Sequence, residues 1–251
     1  MRIESLLVVL VSFCLLLTVG AELSARLGLL GVLVAEVALV LVPAWLWVGF
    51  RQVPSERIGI ARAQLRPLGI AAGVLAGLGA FYVMAVLEAT VLERLLPIPP
   101  EVKASLERMV LPASGARPLA ADLLALAVAP ALCEEALFRG AVLPAWRRAR
   151  EPWSAILMAA LLFGAFHASL YRLIPATLLG IALGVVRVRA DALAPAVAFH
   201  VANNVAVIVL VRLGLDQPPS LQTATGKTLL ALAVLALTVG IGLTKPQAQR
   251  A

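Results

Sequence analysis

Residues 5–24 read SLLVVLVSFCLLLTVGAELS, a mostly apolar run with one charged residue. A helix needs about 20 such residues, at a rise near 1.5 Å each, to cross the hydrocarbon core of a bilayer. The whole chain has the same character, since it is 62% hydrophobic and 14% charged with a mean hydropathy of +0.99. Soluble domains are only about half apolar. The sequence therefore predicts an integral membrane protein.

Seven further apolar stretches follow the first one. They run over about 28–50, 69–91, 119–143, 153–170, 173–187, 192–213 and 227–244. We expect the first stretch to be a retained helix rather than a cleaved signal peptide, because the next span follows after a few residues. The predicted fold is an all-α polytopic bundle of about eight transmembrane helices. It forms one integral membrane domain over 1–251, with a short tail at 245–251.

Basic residues give the chain a net charge of +7 and a pI near 10.4. In an alternating eight-span topology, twelve of them fall on the side of the two termini and eight on the other side. The positive-inside rule then predicts cytoplasmic termini, and it explains the charge without a nucleic-acid partner. The richness in Ala, Leu, Val and Arg favours a bacterial cytoplasmic (inner) membrane.

The fourth, fifth and seventh predicted spans carry ionisable residues in their interior, where a stranded charge costs several kcal/mol by rough estimate. The fourth span carries Glu134, Glu135 and Arg139. Glu135 and Arg139 are four residues apart, so their side chains can meet on one face of a helix and neutralise each other. Glu134 points about 100° away around that helix and can face a different neighbour.

Two further pairs have the same spacing of four residues: Phe163 with His167 on the fifth span, and His200 with Asn204 on the seventh. Counted at about 1.5 Å per residue, Glu134 and both histidines reach mid-membrane depth. We expect them to surround a cavity that admits water, with Phe163 packing against His167.

This ordered set of motifs resembles the CPBP intramembrane proteases. The motifs are Glu134-Glu135-x-x-x-Arg139, Phe163-x-x-x-His167 and His200-x-x-x-Asn204. That family includes the CaaX prenyl endopeptidases and bacterial Abi-like relatives such as the myxosortases. The resemblance covers about 134–204 and implies hydrolysis of a peptide bond within the membrane by a catalytic core at 119–213.

The resemblance also implies a role for each motif residue. Glu134 would be the general base that activates water, and His167 would position or polarise that water. His200 and Asn204 would stabilise the oxyanion of the tetrahedral intermediate. Glu135 and Arg139 would support the site. A purely structural ion pair between them is an equally good explanation for the presence of both residues.

A metal ion is an open alternative. Glu134, His167 and His200 could hold zinc or another divalent metal with one position left for water, and a metal-free glutamate mechanism fits the family as well. The sequence has no His-Glu-x-x-His, Gly-x-Ser-x-Gly or Gly-Asp motif. These absences exclude site-2-type zinc, serine and presenilin-type aspartyl chemistry.

The motifs leave several substrates and two other classes of function to consider. We rank a membrane-embedded or lipidated peptide segment above prenylated proteins as the substrate, with membrane lipid as a further partner. A second hypothesis is a proton-coupled transporter whose relay uses Glu36, Glu134, His167 and His200. A third is a non-catalytic scaffold. Glu36 could line the same cavity, pair with Arg139 or lie at a helix interface, and we favour a structural role for it.

Overall fold

The computed structural model describes residues 2–61, 66–104, 117–147, 151–215 and 217–244. Within these ranges the chain forms eight long helices. They are α1 (Ile3–Leu27), α2 (Leu29–Phe50), α3 (Pro67–Leu95), α4 (119–147), α5 (Pro152–Phe166), α6 (Leu170–Ala190), α7 (Ala194–Leu213) and α8 (Ala224–Leu243). A one-turn helix, Ser55–Ile58, lies between α2 and α3. The predicted tail at 245–251 lies outside the described residues.

Six of these helices are long and apolar enough to cross a membrane. The other two differ from them for separate reasons. The α4 helix is long but carries Glu134, Glu135 and Arg139 in its middle. The α5 helix is apolar but has only 15 residues, fewer than the roughly 20 that a span needs. The predicted all-α polytopic helix bundle is confirmed.

The largest difference from the predicted spans lies between α5 and α6. The fifth span was expected to reach residue 170, but α5 ends at Phe166, so His167 lies in the following turn rather than on the helix. Ala168 adopts a positive φ of 49° and Ser169 is extended. Neither residue is Gly or Pro, so the local sequence contains no signal for this break.

Three π-helical turns precede prolines by two residues. They are Glu36–Leu41 before Pro43, Leu123–Val128 before Pro130, and Ala136–Val142 before Pro144. Proline has no N–H group to donate and its ring crowds the carbonyl of the preceding turn, so the helix widens ahead of it. Such turns release backbone carbonyls from the helical pattern and often lie at functional sites.

The α4 helix lies at the centre of the bundle, and most of its residues from Ala129 to Trp146 are buried. One apolar cluster packs it against α1, α2, α5 and α6, and includes Val40, Leu137 and Phe138. Large apolar side chains elsewhere point outward, as expected for helices that face lipid. The central position of α4 brings its charged residues into contact with several helices at once.

Small residues bring α3 close to α7 and α8. Gly73 and Gly77 on α3 lie against the backbone carbonyls of Pro195 and Phe199 on α7, and Gly79 lies against the backbone of α8. In a membrane, helices associate through close packing rather than the hydrophobic effect, and glycines permit the shortest approach. This contact fixes Phe199 and, next to it, the predicted site residue His200.

We expect Gly77→Ala to destabilise the protein by about 1–3 kcal/mol, as overpacking does. A Cβ at this position would lie 2.2 Å from the carbonyl oxygen of Phe199, so α3 and α7 must move apart. The measurement is the melting temperature of the purified protein. Gly69→Ala is the control on the same helix, because its Cβ would make an ordinary 3.4 Å contact with Pro195. Equal melting temperatures for the two variants would contradict the prediction.

Candidate active site

A buried ion pair forms the base of the candidate site. Glu135 is fully buried and Arg139 is 1% exposed, and Arg139 Nη1 donates to Glu135 Oε1 at 2.8 Å. Arg139 Nη2 donates to the carbonyl of Gly180 on α6 at 2.9 Å. Its guanidinium carbon lies 4.5 Å from the centre of the Phe163 ring, a cation–π distance. The structure thus brings the predicted pair together and satisfies the buried cation on several sides.

His200 is joined to this ion pair. Its Nδ1 lies 3.1 Å from Glu135 Oε1, and because a carboxylate only accepts hydrogen bonds, Nδ1 is the donor. Its Nε2 lies 3.9 Å from Oε2 of Glu134. Glu135 therefore orients the imidazole so that one ring nitrogen faces the second carboxylate, as an acidic residue does for the histidine of a catalytic triad.

Glu134 faces away from the ion pair and towards His200. It is 8% exposed, and among the described residues its Oε2 has no hydrogen-bond partner. A buried carboxylate oxygen without a donor costs free energy, so such atoms are usually paired with protein or water. The 3.9 Å separation from His200 Nε2 is too long for a direct hydrogen bond and suits a bridging water molecule.

His167 reaches the same region from the turn after α5. Its Nδ1 donates to the carbonyl of Phe163 at 2.9 Å, which leaves Nε2 as the accepting nitrogen of the neutral ring. The Phe163 ring packs edge-on against both histidines, with ring centres 4.9 Å from His167 and 5.7 Å from His200. Phe163 thus packs against both imidazoles, a wider packing role than contact with His167 alone.

The carboxamide of Asn204 lies one helical turn after His200 on α7. Asn203 Nδ2 donates to Asn204 Oδ1 at 3.2 Å, and this bond orients the Asn204 amide with its N–H₂ group turned away from Asn203. Asn203 is 8% exposed. The sequence analysis did not select Asn203, although two adjacent asparagines inside an apolar span are a usable signal.

Glu36 is a third carboxylate in this part of the protein. It begins the π-helical turn of α2, and among the described residues its buried Oε2 has no hydrogen-bond partner. It interacts electrostatically with Glu134 and with Cys133. The structure therefore brings Glu36 near Glu134, and the structural role favoured for Glu36 stays a prediction.

The metal hypothesis can be compared with this arrangement. In the described ranges, no three His, Cys, Asp or Glu side chains are placed to hold a metal ion. The Phe163 ring packs against both His167 and His200. The side chains as placed do not fit zinc or another divalent metal, so the chemistry below uses the protein's own groups. The metal stays a prediction.

The comparisons with known proteins address the same segment. Residues 116–206 match the family described as type II CAAX prenyl endopeptidase, Rce1-like. The matched range contains all of the motif positions from Glu134 to Asn204. No curated protein and no solved structure matches the chain. The segment 116–206 is thus similar to the Rce1-like endopeptidases, and this match is consistent with the predicted resemblance to a CPBP family intramembrane protease.

Proposed function

We propose that this chain is an intramembrane endopeptidase in which Glu134 activates the attacking water. The family match supports a CAAX-type intramembrane endopeptidase in general. The observation that carries the residue assignment is the buried, unpartnered Oε2 of Glu134 among the described residues, 3.9 Å from His200 Nε2. This is the position in which a water molecule would contact a base and an imidazole together.

The first step is proton transfer from water to Glu134. The water lies between Glu134 Oε2 and His200 Nε2, which are 3.9 Å apart. His167 is fixed by its Nδ1 bond to the Phe163 carbonyl, and its accepting Nε2 would help to polarise that water. As Glu134 takes one proton, the water oxygen attacks the carbonyl carbon of the scissile peptide bond. A carboxylate in a poorly hydrated site is well suited to act as a general base, because few water molecules compete with it for the proton.

The negative charge that develops on the carbonyl oxygen needs donors already in place. In its imidazolium form His200 presents an Nε2–H group, and the Nδ1 bond to Glu135 stabilises that positive charge. The amide N–H₂ of Asn204 supplies a second donor. Loss of one such donor typically costs about 10²–10³-fold in rate. Glu135 and Arg139 act by orienting His200 and touch no reacting atom.

Collapse of the intermediate completes the reaction. The carbon–nitrogen bond breaks, and Glu134 passes the proton that it took from water to the leaving nitrogen. The products are a carboxylic acid and an amine, so one water molecule is consumed and no other reactant is needed.

The substrate in this proposal enters from the membrane. The catalytic groups are buried among helices of an integral membrane protein, so a membrane-embedded, lipidated or C-terminally anchored segment reaches them more readily than a soluble protein does. We place the protein in a bacterial inner membrane on its amino-acid composition, with cytoplasmic termini on the distribution of basic residues. Membrane lipid is then its immediate surrounding partner.

The test is a comparison of native membranes from wild-type cells and from a Glu134→Gln strain. We expect uncleaved C-terminal or lipidated segments to accumulate in the variant, which would establish proteolysis and identify the substrate together. The matched control is Glu22→Gln, the same change at an exposed residue that pairs with Arg26 on α1. An unchanged membrane proteome in a strain that expresses the variant stably would contradict the proposal.

A further inference from the structure

Arg187 on α6 is a buried cation outside the motif set. It is 2% exposed and makes three contacts with different parts of the chain. Its Nε donates to the carbonyl of Arg139 at 3.3 Å, and its Nη2 donates to the carbonyl of Arg57 at 2.8 Å. Its Nη1 lies 3.5 Å from the carboxylate of Asp191. A buried arginine that binds main-chain carbonyls positions backbone rather than neutralising surface charge.

The carbonyl of Arg139 needs this partner because of the π-helical turn. The N–H of Leu143 bonds the carbonyl of Phe138, five residues earlier, at the end of Ala136–Val142. In the same pattern the carbonyl of Arg139 would accept from residue 144, which is proline and has no N–H group. The helix cannot satisfy this buried carbonyl, so the guanidinium of Arg187 does.

The α6 helix therefore holds Arg139 at two points. The Gly180 carbonyl accepts from the Arg139 side chain, and Arg187 donates to the Arg139 main chain. Arg139 in turn donates to Glu135, and Glu135 accepts from His200. A continuous series of hydrogen bonds thus connects α6 to the imidazole of the candidate site.

The Arg187 guanidinium also packs against the chain segment between α2 and α3. Gly59 has a φ of 88°, and a Cβ there would lie 2.8 Å from Arg187 Nη2 and 2.8 Å from the Leu193 nitrogen. Leu193 N–H donates to the Gly59 carbonyl at 2.8 Å. The chain at Arg57 and Gly59 is therefore packed directly against the guanidinium, which limits the positions that Arg187 can take.

We propose that Arg187 is a positioning residue of the active site, which holds the main chain of Arg139 in the π-helical turn and thereby orients Glu135 and His200. This proposal rests on the proposed function for its effect on hydrolysis. Its effect on the His200 environment is independent of any substrate.

The chain contains only two histidines, so ¹⁵N-histidine labelling gives the signals of two imidazoles, one Nδ1 and one Nε2 resonance from each. We would compare full-length Arg187→Met, Arg187→Lys and wild-type protein in detergent, with His167→Gln to assign the signals. Arg189→Met is the matched control, because Arg189 lies two residues further on α6 and donates to the Ile241 carbonyl of α8 at 3.1 Å. We expect Arg187→Met to shift the His200 Nδ1 resonance, and Arg189→Met to leave it in place.

The kinetic readout uses an internally quenched peptide that spans the cleavage site found in the Glu134→Gln comparison. We expect Arg187→Met to lower kcat about 10- to 100-fold with little change in KM, since misplacement of catalytic groups acts on the chemical step. Arg187→Lys keeps the buried charge but not the forked donor set, so it should recover part of kcat. If Arg187→Met does not fold, Arg187→Lys takes its place in both the NMR and the kinetic measurement.

An unchanged His200 signal together with an unchanged kcat in a folded Arg187 variant would overturn the proposal. A loss of folded protein with normal kcat per folded molecule would overturn it as well, because that pattern belongs to a structural role only. If Glu134→Gln retained cleavage, the proposed function would fail, whereas the His200 resonance would still decide the role of Arg187.

Discussion

Glu134→Gln is expected to lower kcat by about 10³-fold, within the range for loss of a general base, while the protein keeps its fold. Glutamine has the same shape as glutamate but cannot take a proton from water. Oε2 of Glu134 has no hydrogen-bond partner in the described part of the chain, so replacing it breaks no hydrogen bond at that atom. The substitution therefore separates catalysis from folding.

The measurement is kcat on the quenched peptide together with the melting temperature of the same purified sample. Glu22→Gln provides the control, because it makes the same chemical change at a surface ion pair of α1. Full activity in Glu134→Gln would exclude Glu134 as the base. A large fall in melting temperature would show that this carboxylate has a structural role that the geometry does not indicate.

Glu135→Ala is expected to have the opposite phenotype, a loss of folded protein. Oε1 of Glu135 accepts from both Arg139 and His200, and all three side chains are buried. Removal of one partner from a buried ion pair leaves the other charge uncompensated, which costs about 3–5 kcal/mol. Few membrane proteins tolerate such a loss, so we expect little Glu135→Ala protein in the membrane fraction.

The measurement is the amount of protein in isolated membranes and its melting temperature after extraction. The double variant Glu135→Ala with Arg139→Met removes the stranded charge and should restore accumulation without restoring hydrolysis, since His200 still lacks its acceptor. Glu22→Ala is the surface control, because an exposed pair such as Glu22 and Arg26 contributes less than about 1 kcal/mol. Normal accumulation of the single variant would show that the buried pair does not stabilise the fold.

These two neighbouring glutamates on α4 face different partners. Glu134 and Glu135 are consecutive, so their side chains leave α4 in directions about 100° apart. One faces the ion pair with Arg139, and the other faces His200 Nε2 across a 3.9 Å separation. We therefore expect a substitution of Glu134 to affect chemistry and a substitution of Glu135 to affect stability, although both residues lie within 4 Å of the same histidine.

The sequence alone determined the fold class, and it predicted a set of side chains for the site. Apolar runs near 20 residues must be helical in a bilayer, because hydrocarbon offers no partner to backbone polar groups. The four-residue spacing within each motif then places Glu135 with Arg139, and His200 with Asn204, on common helix faces. These are local relations, and a local rule is sufficient to predict them.

Other features required the tertiary structure. Gly180 and Arg187 lie 41 and 48 residues from Arg139, and neither has a sequence signature for contact with it. Glu36 reaches Glu134 from a different helix, and His167 lies in a turn that no Gly or Pro marks. Such contacts depend on how helices pack against each other. Packing is decided jointly by side chains far apart in the chain, so the residues that orient the site became visible only when the helices were assembled.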